Sequence, residues 1–156
     1  MKKILISLLC ASIYVCNVSA NEAKSSAVES QEIEKKCVSG DFEACNQLEQ
    51  LFSVDKLKLL CESGNMLKCG LLGIKYKDGN GVDQDLIKAR KLLKQSCENE
   101  FAHACYKLAF MYSKGQGVRL SHSIAAEYFG EACDLGHRDA CLAYHLADQL
   151  ARQQMR

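Results

Sequence analysis

From about Gln31 onward, apolar positions recur at helical spacing and are cut at regular intervals by glycine. In LLGIKYKDGNGVDQDLIKARKLLKQSC, Leu71, Leu72, Ile74 and Tyr76 lead to a loop at Gly79 to Gly81. Leu86, Ile87, Ala89, Leu92 and Leu93 then resume at helical period. This pattern predicts two helices joined by a short turn. Asp85 and Ser121 stand where the second helix of a unit begins, and there a short side-chain oxygen can accept from free backbone N–H groups. The chain has no proline, and the expected class is all-α.

The pattern returns at a fixed offset. Cys61, Cys97 and Cys133 are 36 residues apart, as are Cys69, Cys105 and Cys141. Leu72 and Leu108, Tyr76 and Tyr112, Gly79 and Gly115, Gly81-Val82 and Gly117-Val118, and Ala89 and Ala125 keep the same offset. The reading is one repeat domain over 31–156. It comprises a shortened first repeat at about 31–60, full repeats at about 61–96 and 97–132, and a C-terminal partial repeat over 133–156. Cys45 to Cys61 spans 16 residues where Cys69 to Cys97 spans 28. NQLEQLFSVDKLKLL is therefore expected to form two short helices, with Ser53 or Asp55 as the second cap. An atypical unit suits the end of a stacked array, where one neighbour is missing.

Four stretches, CVSGDFEAC, CESGNMLKC, CENEFAHAC and CDLGHRDAC, place two cysteines eight residues apart. A continuous helix would hold such a pair about 12 Å apart, and a disulfide tolerates no more than about 7 Å. Pairing of these neighbours thus requires the chain to reverse, ending one helix at the first cysteine and starting the next near the second. Gly40, Gly64 and Gly136 supply a residue that takes the left-handed conformation at a helix end. The third stretch has Glu100 there, and Asn99 is the expected left-handed residue. The geometry favours Cys37 with Cys45, Cys61 with Cys69, Cys97 with Cys105, and Cys133 with Cys141. Each bridge staples the second helix of one repeat to the first of the next, for roughly 2 to 3 kcal/mol.

The N-terminus bears on compartment. Lys2 and Lys3 precede the apolar run ILISLLCASIYV and the small-residue stretch Val18-Ser19-Ala20, the pattern of a secretory signal peptide over 1–20, cleaved near Ala20. Its apolar core, Ile4 to Val15, has 12 residues, short of the roughly 20 that span a membrane. Leu9 before Cys10 and Val15 before Cys16 speak against lipidation. Residues 21–30 read as a flexible tail. Cleavage removes two basic residues and no acidic one, moving the net charge from +1 to −1, so no nucleic-acid or membrane partner is indicated. Eight cysteines remain, and an even number in a secreted or periplasmic chain indicates disulfides. No C-x-x-C knuckle or C-x-x-C-H is present to hold zinc or haem, so no metal and no cofactor is expected.

LGxxYxxGxGVxxDxxKA, carried by Leu72-Gly73, Tyr76, Gly79, Gly81-Val82, Asp85 and Lys88-Ala89, resembles the Sel-one-like repeat, a relative of the tetratricopeptide repeat. The second copy keeps Leu108, Ala109 in place of glycine, Tyr112, Gly115, Gly117-Val118 and Ala125. With a C-x7-C pair in each unit, the chain from roughly Ile33 onward is similar to the Helicobacter cysteine-rich proteins. The fold this implies is a right-handed αα-solenoid of Sel-one-like repeats cross-linked by intramolecular disulfides. The implied function is binding or hydrolysis of β-lactam or peptidoglycan-derived ligands, since that family is described as penicillin-binding proteins and β-lactamases. This chain departs from the family in having fewer and partly shortened repeats.

The residues themselves carry little hydrolase chemistry. Ser53-Val54-Asp55-Lys56 fits S-x-x-K, but neither S-D-N nor K-T-G accompanies it, and a helix-capping turn accounts for it. Catalytic residues are thus unassigned. His103, His122, His137 and His145 lack metal-ligand spacing; His103, His137 and His145 are expected at the solvated surface. Stacked helix pairs form a concave face lined by each repeat's first helix. Lys68, Lys75 and Lys107 are candidates to offer positive charge there to a carboxylate, while Tyr76, Tyr112, Phe110 and Leu146 are expected in the inter-helix core. The alternative function is a non-enzymatic adaptor with a protein partner in that groove, of the cell envelope or host-directed. A monomer without a membrane anchor is expected.

Overall fold

The computed structural model describes residues 28–154. The expected signal peptide and most of the expected tail lie outside the described residues, and residues 28–30, also assigned to the tail, are already helical. The described residues form helix α1 over 28–38, followed by α2 (Phe42–Leu51), α3 (Val54–Glu62), α4 (Met66–Asp78), α5 (Leu86–Cys97), α6 (Ala102–Lys114), α7 (His122–Asp134) and α8 (Arg138–Gln154). Among them no helix is long and apolar enough to cross a membrane.

The four reversals share one construction. Disulfides join Cys37 to Cys45, Cys61 to Cys69, Cys97 to Cys105 and Cys133 to Cys141, with Cα atoms 4.5, 4.6, 4.7 and 4.8 Å apart. In each, the residue three past the first cysteine donates its N–H to that cysteine's carbonyl, at 3.1 Å for Gly40, 2.9 Å for Gly64, 2.8 Å for Glu100 and 2.9 Å for Gly136. The same residue has a positive φ, near +92° at the three glycines and +63° at Glu100. This lets the next residue donate back to the carbonyl just before the first cysteine, as from Asp41 to Lys36 and from Phe101 to Ser96. Glu100, not Asn99, is the left-handed residue of the third turn. Asn99 instead donates its side-chain amide to the Gln95 carbonyl at 2.8 Å.

Within the full repeats the loops are also copies. Asp85 N–H donates to the Tyr76 carbonyl and Ser121 N–H to that of Tyr112, each at 3.0 Å. Asp85 and Ser121 cap α5 and α7 through their side chains, and Ser53 caps α3. α4 packs on α5 and α6 on α7 within repeats, while α3–α4, α5–α6 and α7–α8 pack across the disulfide turns. Gly73 permits close approach: a Cβ there would stand 3.2 Å from the Ala89 carbonyl of α5. The core runs through Leu71, Ile74, Leu93, Leu108, Met111 and Phe129.

One expected core residue, Leu146, faces water at 60% exposure, as does Ile87 of the apolar run on α5, at 70%. The buried stripe of α5 passes through Ala89, Leu93 and Ser96, and that of α8 through Ala140, Ala147 and Ala151. Ile87 and Leu146 lie off these stripes. Tyr76 is buried, and Phe110 and Tyr112 are partly buried against the core.

Glu100 takes a conformation that costs a side-chain-bearing residue roughly 1 kcal/mol. Glu100→Gly should therefore raise the melting temperature by a few degrees under oxidising conditions. An unchanged or lowered midpoint in a thermal melt would contradict this account of the turn.

Candidate interaction groove

The first helix of each repeat lines one face of the array. On α6 that face is a stripe at i, i+3, i+4, i+7 and i+11: His103, Tyr106, Lys107, Phe110 and Lys114. The stripe is mostly aromatic, with two cations. Tyr106 stacks on His137 at 4.2 Å between ring centroids and meets Phe110 edge-on at 4.9 Å.

α2 lies over this face. Phe42, the first residue of α2, places its ring 5.4 Å from that of His103, 6.0 Å from Tyr106 and 5.9 Å from His137. Lys107 Nζ stands 5.2 Å from the centre of the Phe42 ring. Near the other end of α2, Glu49 accepts from the Asn80 amide just past α4, at 3.4 Å, and feels the charges of Lys75 and Lys107. α2 thus runs in the same direction as α4 and α6 and spans both. The turn before it meets the turn before α8: a Cβ on Gly40 would lie 2.5 Å from the Gly136 carbonyl oxygen. The first and last disulfide turns of the array are in contact across 96 residues of sequence.

This arrangement corrects the expectation of an open, cationic groove. Lys68 is 3% exposed and Lys75 6%. Lys68 Nζ pairs with Glu34 of α1 at 2.6 Å and sits 4.3 Å over the Phe52 ring. Lys107 is half-buried beneath Phe42. Burial pushes the Lys107 pKa down, reinforced by Lys77 and opposed by Glu49 and Asp78. Burial raises that of Glu49 despite the facing Lys75 and Lys107. The groove holds its charges under its own N-terminal hairpin. Buried ions of this kind persist only when paired.

The histidines correct a second expectation. His103 and His137 are each 1% exposed, with His103 Nδ1 and His137 Nε2 3.2 Å apart. One nitrogen donates and the other accepts, so the accepting ring must be a neutral imidazole. Burial holds the pKa of His103 well below its ordinary value, helped by Lys107, His137 and Lys77. Burial also lowers that of His137, against the opposing charge of Asp139. The repeat register carried a mixed signal for both. His103 stands in a column with Leu67 but also with exposed Asp139, and His137 in one with Phe101 but also with exposed Asn65. His145 is exposed as expected. Ser53 of the S-x-x-K match is committed to capping, its Oγ accepting from the Lys56 N–H at 3.4 Å.

Residues 69–101 and 102–137 match the family model described as the Sel1 repeat. The chain carries Sel1 repeats. Among curated proteins it is similar to cytochrome c oxidase assembly factor 7 of Xenopus tropicalis, 31% identical over 54% of this chain and 39% of that protein. The chain thus spans about two fifths of that relative's length. Among solved structures, Helicobacter pylori cysteine rich protein B (hcpB) is 28% identical with a TM-score of 0.52, over 71% of this chain and 88% of that one. A Sel1 repeat protein from Oxalobacter formigenes is 22% identical with a TM-score of 0.57, over 60% of this chain and 38% of that one, and shows the fold alone. The Sel1 relatives therefore extend beyond the Helicobacter proteins that the motif resembles, and none of these descriptions refers to β-lactams.

The buried histidines make the stability of this Sel1 array pH-dependent. Their folded pKa values lie below the unfolded value of about 6.5, so at falling pH the unfolded chain binds protons first. Their contribution is intact above about pH 6.5 and is lost below it, at up to about 1.4 kcal/mol per pH unit for each proton. Urea denaturation of His103→Gln should show a flatter dependence than the parent between about pH 7 and 5. Parallel curves would remove the histidine pair as the cause.

Proposed function

We propose that this Sel1-repeat chain is a protein-binding scaffold, an interaction or assembly factor working in an oxidising compartment such as the cell envelope. The observation that carries this reading is the concave stripe of α6, which already holds a helix: Phe42 and Glu49 of α2 fill the aromatic and cationic positions that a foreign segment would use. Solenoids of stacked helix pairs commonly use such a concave surface for binding. Four disulfides suit a chain exported from a reducing cytosol. The description of a relative as an assembly factor agrees with a role carried by binding.

The β-lactam reading has less support. Lys68 and Lys75, candidates for a ligand carboxylate, are buried, and Lys68 is already paired with Glu34. Ser53 is exposed and serves as a cap, without a buried base beside it.

A photo-crosslinking residue at Lys114, on the concave stripe, should capture a discrete protein in the native cell. The same residue at Ile87, on the outer face of α5, should not. Equal capture at both positions would overturn the assignment, as would turnover of nitrocefin by the oxidised chain above a disulfide-reduced control.

A further inference from the structure

We propose that the partner of this groove is an amphipathic helical segment built like α2, with an aromatic residue in its first turn and a carboxylate seven residues later, and that it binds by displacing α2. This rests on the binding-scaffold reading above. Residues seven apart lie on one helix face, about 10 Å apart along the axis. That spacing carries Phe42 into the ring cage of His103, Tyr106 and His137 while Glu49 reaches Asn80, Lys75 and Lys107.

Three features favour an exchangeable occupant over a permanent member of the stack. α2 has ten residues where α4 and α6 have thirteen, and only Ala44, Cys45 and Leu48 of it are fully buried. The receiving side has cationic capacity beyond one carboxylate: Lys75 and Lys107 both act on Glu49, and Lys77, paired with Asp78, stands near Lys107. The tether that would let α2 leave is already present: the Cys37–Cys45 bridge joins it to α1, and Phe52 and Ser53 alone join it to α3. A tethered helix competes at an effective concentration near the millimolar range, so an incoming segment binds measurably only when α2 is weakened or outbid.

The probe is a fluorescein-labelled peptide of residues 41–53 with serine replacing Cys45, added to the full oxidised chain. Fluorescence anisotropy should show binding to Phe42→Ala at least about tenfold tighter than to the parent. Glu49→Gln, which preserves side-chain shape, should strengthen binding in the same direction. Peptides with alanine at the Phe42 position or lysine at the Glu49 position should lose that gain, and Lys107→Glu added to Phe42→Ala should restore binding of the lysine peptide. Equal affinity of the parent and both opened variants, each with four disulfides intact by mass, would overturn the proposal. Indifference to the two peptide side chains would do the same. If the peptide fails while a crosslinker at Lys114 still captures a protein, only the partner class falls; failure of both takes the scaffold reading with it.

Discussion

A disulfide across eight residues closes only if a helix stops, turns and restarts within them, because a straight helix would hold the sulfurs' Cα atoms about 12 Å apart. The Cα atoms here are 4.5 to 4.8 Å apart in all four cases. The turn that achieves this closes with a backbone bond from the residue four past the first cysteine to the carbonyl of the residue just before that cysteine, across a left-handed residue. Its left-handed geometry is obeyed even by Glu100, which has no steric freedom to spare. With each reversal fixed, the first helices of successive repeats run in one direction, and a lined face follows from that direction.

Because repeats are periodic, most of this was legible. The apolar columns, the caps at Asp85 and Ser121 and the cysteine pairs all recur at 36 residues, and each depends on neighbours within one unit or the next. The columns carry less where they are mixed. His103 and His137 share theirs with the apolar Leu67 and Phe101 but also with the exposed Asp139 and Asn65, so residue type alone places them in water. Leu146 shares its column with buried Ile74 and partly buried Phe110, yet α8 turns alanines to the buried side and leaves it exposed. The contact between the Gly40 and Gly136 turns belongs to no column. It depends on how far the array curves, and small rotations between repeats accumulate into that curvature without a local signature.

The candidate site was less legible because its charges compensate across distant units. Lys68 and Lys75, taken alone, read as cations on a solvated helix face. Their burial becomes tolerable only because α1 and α2 bring Glu34 and Glu49 to them. A lysine's environment is then decided by a carboxylate some 26 to 34 residues earlier, in a unit whose own pattern is broken.

The shortening of the first unit is what brings those carboxylates into place. A full repeat separates its two helices by a seven-residue loop, Gly79 to Asp85 in the second unit, whereas Phe52 and Ser53 alone join α2 to α3. Helices of ten and nine residues bury a smaller stripe than the thirteen and twelve of α4 and α5. Such a unit has little apolar surface with which to hold its place in the stack, and the Phe42 ring supplies some by reaching α6 and the turn before α8. The Cys37–Cys45 bridge makes this effective, since it ties Glu34, Phe42 and Glu49 into one hairpin whose ends engage Lys68, the histidine pair and Lys107 together. An end unit too short to stack as its neighbours do is thus held by the groove that those neighbours create.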